Sequence, residues 1–384
     1  MLENSFSHIG IRGFRRLAEL QAELRPLNVL IGANGVGKTS FLDAFALLAA
    51  SARGAMNKEL GEMGGLVGVL TNDRASGLAL DLSMNVPSHS PVDYHLLLAL
   101  SGASYMIGEE TLSQQRHEEG PPSKNIASHG TDIKYFNADA KKWVQPTWEH
   151  SYAETSLSQV PKMFREPEDF RLKLSSSTFY HCLNVEPRAP VRLPQQMRPA
   201  DLPGRQGEDL VSCLYSLRET QRDRFETIED TLKTAFPGFE RLDFPPVAAG
   251  MLGMTWKDRA FSKPVYAHQL SEGTLRFLWL TTLLQSPGLT AVTLIDEPEV
   301  SLHPEMLSIL AELMREASQR TQLIVATHSD RLVRFLKPEE VAVMDLNEDG
   351  SAKMTWADQM DLGEWLAEYT LDEVWRLGRM GGRA

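Results

Sequence analysis

The chain has 384 residues, 42% hydrophobic and 23% charged, with a formal net charge of −12 at pH 7. Such a mixture supports a sizeable globular core, and no run of about eighteen apolar residues offers a membrane span. A dedicated nucleic-acid binder is usually basic overall, so the bulk charge lends no support to DNA binding, although it does not exclude a local basic strip.

The N-terminus, Met1-Leu2-Glu3-Asn4, lacks the basic patch and apolar stretch of a secretory signal. The two cysteines, Cys182 and Cys213, show no CxxC or metal-ligand spacing and read as reduced thiols. Together these features predict a cytoplasmic protein. Residues 5–31 read as strands: Ile9 and Ile11 alternate with polar neighbours, as do Leu20, Ala22 and Leu24. Leu27-Asn28-Val29-Leu30-Ile31 predicts a buried strand feeding a turn at Gly32, and Phe41, Leu42, Phe45, Leu48 and Ala49 predict a helix starting near Lys38. Residues 60–115 read as further strands, with turns at Gly64-Gly65, Asn72-Asp73 and Ser101-Gly102. Residues 116–210 are punctuated by prolines and read as an irregular insertion with short elements. Helical patterning returns over 210–236 and 275–284, the latter closing at Pro287-Gly288, and again over 307–317. Ala291–Ile295 and Leu323–Ala326 read as buried strands. Short apolar strands alternating with helices predict an α/β core with a parallel sheet.

Gly32-Ala33-Asn34-Gly35-Val36-Gly37-Lys38-Thr39 fits G-x-x-x-x-G-K-[ST], with a strand before and a helix after. Glycines let the backbone wrap round phosphates with its N–H groups pointing inward, and the helix start adds its positive end. Lys38 suits the β- and γ-phosphates, and the Thr39 hydroxyl is a hard oxygen ligand for Mg²⁺. The expected ATP-binding set is Gly32, Asn34, Gly35, Gly37, Lys38, Thr39 and Ser40. Val292–Glu297 reads as a strand ending in two acids. Asp296 can hold Mg²⁺ there, and Glu297 can orient or deprotonate an attacking water. His328, just past the strand ending at Ala326, can approach a γ-phosphate. Leu270-Ser271-Glu272-Gly273-Thr274 opens an apolar helix with a small-residue turn suited to an anion.

In this order the segments resemble the ATP-binding-cassette superfamily, in its soluble branch with RecF, SMC and OLD-type ATPase heads and the bacterial "predicted ATPase" group often called AAA family. The P-loop is followed by LSEGT as a signature, LIDEPE as Walker B, Ser301-Leu302-His303-Pro304 as a D-loop and ATHS as the switch histidine. Ile11-Arg12-Gly13-Phe14, Leu275-Arg276-Phe277, Leu371–Trp375 and Gly381-Gly382 look like the same group. The resemblance implies a P-loop NTPase of ABC/RecF-head type, with a mixed sheet core, an N-terminal β subdomain and an irregular inserted lid. Its single head would divide into a P-loop lobe (1–115), an insertion or lid (116–265), a signature and Walker B lobe (266–346) and a C-terminal docking segment (347–384).

The resemblance further implies a homodimer closed as a nucleotide sandwich. ATP and Mg²⁺ on one P-loop would be sealed by Ser271 and Gly273 of a second copy, with Asn34 and His328 near the γ-phosphate and hydrolysis through Glu297. The implied function is an ATP-gated dimeric switch in DNA-related maintenance or phage defence, beside a separate effector such as a nuclease or toxin. The alternatives are a nucleotide-gated scaffold with little hydrolysis and a RecF-like DNA-binding ATPase. Two departures stand out. The stretch between P-loop and signature has no sustained heptads, so no long SMC-type arm is expected, and no nuclease-type acidic cluster follows His328. Asn347–Gly350 reads as a hairpin turn. Gln114 and Gln115 are candidates for the glutamine loop. Arg12, Arg15 and Arg16 read as nucleotide contacts or as surface groups of a hairpin. Arg188, Arg192, Arg198 and Arg205 read mainly as loop-solvating groups. Trp365, Leu366, Leu371, Val374 and Trp375 are expected to dock a C-terminal helix.

Overall fold

The structure is a computed structural model that describes the chain except residues 1–3, 72–74, 103, 116–119, 139 and 382–384. The turn expected at Asn72-Asp73, the first three residues of the leader reading and Gly382 therefore lie outside the described residues. The chain forms two compact units, residues 1–178 with 338–384, and residues 179–337.

In the first unit β1 (Phe6–Phe14) and β2 (Leu17–Glu23) form a hairpin, and β3 (Leu27–Ile31) leads through the P-loop into α1 (Lys38–Arg53). Then come α2 (Met56–Glu62), α3 (Gly65–Val69), β4 (Gly77–Val86), β5 (His89–Ser101), β6 (Ser104–Gln114), β7 (Ser123–His129), β8 (Asp132–Asn137), β9 (Lys142–Val144) and α4 (Arg165–Ser175). An antiparallel sheet of order β2-β1-β4-β5-β6-β7-β8-β9 results. Its inner face follows the period of two: Val92, Tyr94, Leu96 and Leu98 of β5 are buried. Two stretches differ from the sequence reading. The start of the stretch read as strand, residues 60–69, is largely helical: α2 ends at Glu62, and Gly64 and Gly65 take left-handed φ values of 92° and 77° and launch α3, which buries Leu66 and Val69. The expected irregular insertion begins with β7–β9, which extend the sheet. Ile126, Ile133 and Tyr135 are its few large apolar anchors, too sparse to show alternation.

Helix α1 is buried along most of its length, from Phe41 to Ala52, as befits a helix with apolar residues nearly all round. All five residues of β3 are buried. β3 pairs in parallel with the strand Val341–Leu346, which turns back antiparallel onto Ala352–Trp356. The turn between them is the expected one at Asn347–Gly350, closed by Gly350 N–H on Asn347 O. At the C-terminus Leu371, Val374 and Trp375 are buried in a helix capped by Thr370 and Glu373, while Trp365 and Leu366 stay partly exposed.

In the second unit the strands Val292–Asp296 and Gln322–Ala326 pair in parallel, register Asp296↔Ala326. Both are almost wholly buried. Helices Glu272–Gln285 and Met306–Ala317 pack on one another. The helical pattern over 210–236 resolves into two helices, Leu210–Thr220 and Arg222–Ala235, broken at Gln221 with ψ 63°. Among the described residues no helix is long and apolar enough to cross a membrane.

Candidate functional site

One candidate site belongs to the first unit. Gly32 leaves β3 at φ 146°, where a Cβ would lie 2.2 Å from Met344 O, so only glycine can turn there. Gly37 takes φ 113° and caps α1, and its missing Cβ would sit 3.1 Å from Leu17 Cδ2. Lys38 is buried and arches over the loop, its Nζ donating to Gly32 O at 2.7 Å and Ala33 O at 3.0 Å. Asn34, Gly35 and Thr39 are exposed and Ser40 half-exposed. The loop thus combines a helix N-terminus, a held ammonium and a hydroxyl, which is the equipment for binding phosphates.

The arginines of the β1–β2 hairpin are not equivalent. Arg12 pairs with Asp81 at 3.3 Å on the exposed sheet, while Arg15 pairs with Asp43 of α1, one turn beyond Thr39. Arg15 and Arg16, with Thr71, Asp349 and Ser351, line a cavity of about 390 Å³. Ala352 adjoins both this wall and the P-loop: its N–H donates to Arg16 O, and its Cβ lies 3.6 Å from where a Gly37 Cβ would be. The glutamine candidates are displaced from the loop. Gln114 pairs with Val92, which pairs with Met84, which pairs with Phe6, at the end of β1 opposite Phe14 and Leu17. At 3.3 Å per residue that end is roughly 26 Å away, and Gln114 donates to Ser90 O instead.

A second cluster lies in the second unit, at the carboxyl ends of its two parallel strands. Glu297 N–H extends the ladder by one bond to Ala326 O, 2.9 Å, and Glu297 itself takes φ 50°. Ser301 takes φ 63°. Neither is glycine, and left-handed conformations of such residues persist only where surrounding contacts enforce them. Glu297 Oε1 and His328 Nε2 approach to 3.8 Å, both about two-fifths exposed. The structure thus brings together an acid and an imidazole 31 positions apart in the chain, given by residues 297 and 328. Ser271 caps the helix Glu272–Gln285, its Oγ accepting Thr274 N–H at 3.1 Å. Gly273 faces the turn at Ser301 of its own unit, where a Cβ would lie 2.5 Å from Ser301 O. Its small size therefore serves packing here, a role the sequence did not reveal.

Three arginines make contacts that the sequence does not reveal. Arg276 donates to Cys182 Sγ at 2.8 Å and approaches Val300 O at 3.5 Å. Burial raises the Cys182 thiol pKa, Arg276 opposes the rise, and the charges of Glu297, Glu299 and Asp296 add to it. Arg192, expected to solvate a loop, instead binds Val185 O, His268 O and Leu270 O and so staples the segment before Ser271. Arg198 is likewise tied, to Asp209. No short motif encodes these contacts.

A family model described as "AAA domain, putative AbiEii toxin, Type IV TA system" matches residues 27–334. The chain belongs to this AAA-domain family. No curated protein matches it. Among solved structures, the AAA-domain protein is similar to an SMC head bound to the C-winged helix domain of ScpA: TM-score 0.58, 14% identity, covering 91% of this chain and 97% of that one. It is also similar to an Smc head with an extended coiled coil bound to the C-terminal domain of ScpA derived from Pyrococcus furiosus, with TM-score 0.53, 12% identity and coverage of 91% and 96%. At these identities the likeness concerns the fold, which is the mixed α/β fold of an SMC-head-type P-loop ATPase. Family and fold together make this AAA domain a nucleotide-binding protein of ATPase type.

Proposed function

We propose that the AAA domain hydrolyses ATP as its magnesium complex and acts as an ATP-gated pair of heads. The observation that most supports this is the approach of Glu297 to His328 at the carboxyl ends of parallel strands, where open α/β sheets place their ligands. Phosphates rest on the backbone N–H groups of residues 35–39 and on Lys38. Thr39 and Asp296 offer hard oxygens of the kind magnesium takes beside substrate phosphates, and the ion supplies charge neutralisation on those phosphates. Among the described residues no group of three His, Cys, Asp or Glu gathers as a metal cage. Glu297 accepts the proton of the attacking water, and His328 and Asn34 contact the γ-phosphate. Ser271 and Gly273 of a second copy cover the nucleotide. The Arg15–Arg16 cavity beside Gly37 is where we place the nucleoside. Phosphate release tests this: Glu297→Gln should lose about 100-fold or more of the turnover while still binding ATP. Equal turnover in the two proteins contradicts it.

A second reading, a nucleotide-gated scaffold that recruits an effector with little hydrolysis, is supported by the similar heads whose structures hold a ScpA domain. Within either reading we place the protein in DNA-related maintenance or phage defence beside a nuclease or toxin. The putative toxin in the family description supports that setting. Copurification that yields no partner with or without ATP contradicts the scaffold.

A further inference from the structure

The turn after the strand Val292–Asp296 carries a carboxylate that neither phosphate binding nor water activation uses. Glu299 turns back toward the end of the neighbouring strand. Its Oε1 accepts the Thr327 hydroxyl at 2.6 Å and the His328 backbone N–H at 3.2 Å. Its Oε2 is buried with no hydrogen-bond partner among the described residues. A carboxylate withdrawn from water with one oxygen unmatched is a poor choice for stability alone. Burial accordingly holds its pKa above the ordinary glutamate value, with the Thr327 hydroxyl and the His328 N–H pulling the other way.

What the arrangement achieves is geometric. The parallel ladder ends at Asp296↔Ala326, and the last backbone bond across it is Glu297 N–H to Ala326 O. Beyond that point the two backbones part. One enters the left-handed turn at Glu297, and the other bends at Ser329 into the short helix Asp330–Val333. Glu299 ties the two across this gap. Its own backbone is fixed by Leu302 N–H on Glu299 O at 3.0 Å, and the Thr327 oxygen it binds accepts Ser329 N–H at 3.0 Å. The side chains on either side of the tie are Glu297 and His328, 3.8 Å apart.

We propose, on the basis of the hydrolytic reading above, that Glu299 is a positioning residue: by holding Thr327 and the His328 backbone on the turn after Glu297, it fixes the separation of the water-activating carboxylate and the imidazole at the γ-phosphate. The test compares Glu299→Ala, Glu299→Gln, Thr327→Val and Glu297→Gln in the full chain, using phosphate release, affinity for a non-hydrolysable ATP analogue, and hydrogen exchange at the His328 amide. Glu299→Ala should lower kcat about 10- to 100-fold, the scale of a misplacement near 1 Å, with analogue affinity within about threefold and faster exchange at His328. Glutamine keeps an accepting oxygen, so Glu299→Gln should restore both kcat and protection. Thr327→Val, which cuts the same tie from the other strand, should share the kcat loss and serves if Glu299→Ala does not fold. If Glu299→Ala or Thr327→Val keeps wild-type kcat, or glutamine fails to rescue, the positioning role is wrong, while an inactive Glu297→Gln leaves the hydrolytic reading standing. If Glu297→Gln turns over ATP normally, the hydrolytic reading falls and the role of Glu299 with it.

Discussion

Replacing Gly273 with alanine probes the packing of the 270–274 turn on the turn at Ser301. The added Cβ would lie 2.5 Å from Ser301 O, a backbone atom that cannot swing aside like a side-chain end. Relief requires either the start of the helix Glu272–Gln285 or the turn at Ser301 to shift by several tenths of an ångström. Ser301 already sits at φ 63°, in a conformation its neighbours must enforce. Forcing an extra methyl into a packed site costs about 1–3 kcal/mol. For a cooperative unit of this size that corresponds to a Tm lower by roughly 4–8 °C, taking the middle of that range. Thermal unfolding followed by fluorescence gives the shift directly, and phosphate release on the same samples shows whether the Ser301 turn has moved relative to Glu297. A Tm within 1 °C of wild type would refute the packing account and leave Gly273 only its expected part in covering nucleotide.

Two more outcomes follow from other contacts. Glu110 is buried, accepting Tyr94 OH at 3.0 Å and the N–H groups of Ser156 and Leu157 at 2.6 and 2.8 Å. Desolvation raises its pKa despite those bonds, so the folded state holds the proton more tightly than the unfolded one. Its contribution to stability is therefore fully present below the ordinary value of 4.5 and is lost as pH rises through the folded value. Denaturant melts of wild type and Glu110→Gln from pH 4.5 to 7 should show their stability difference shrinking in wild type's disfavour as pH rises, and a constant difference contradicts this. Ser271→Ala removes the cap on the helix Glu272–Gln285 and should cost about 1 kcal/mol, whereas Ser271→Asp, which caps equally well, should hold stability near wild type. Equal losses in both variants would show that the hydroxyl does something other than cap.

What the sequence revealed was what is contiguous in it. The P-loop, the acids at 296–297, the 270–274 turn and His328 each occupy a few neighbouring residues, and local geometry dictates some of their types: Gly32 sits at φ 146°, which other residues rarely adopt. The edges of the β sheet were harder, because β7 and β8 bury so few large side chains that Ser, Asn and Lys dominate their pattern. The Gly64-Gly65 pair reads as a turn between strands, although two left-handed glycines start a helix equally well. The ties of Glu299 to Thr327, Arg276 to Cys182 and Gly273 to Ser301 join residues far apart in the chain. They arise only once the parallel strands have set their register.

Whether ATP closes a pair of heads that hydrolysis then opens is decided by the mass of Glu297→Gln in solution with and without saturating ATP and magnesium, measured by light scattering. The expected result is a shift to the mass of two chains with ATP that persists as long as the nucleotide is present. A single-chain mass at saturating ATP contradicts it.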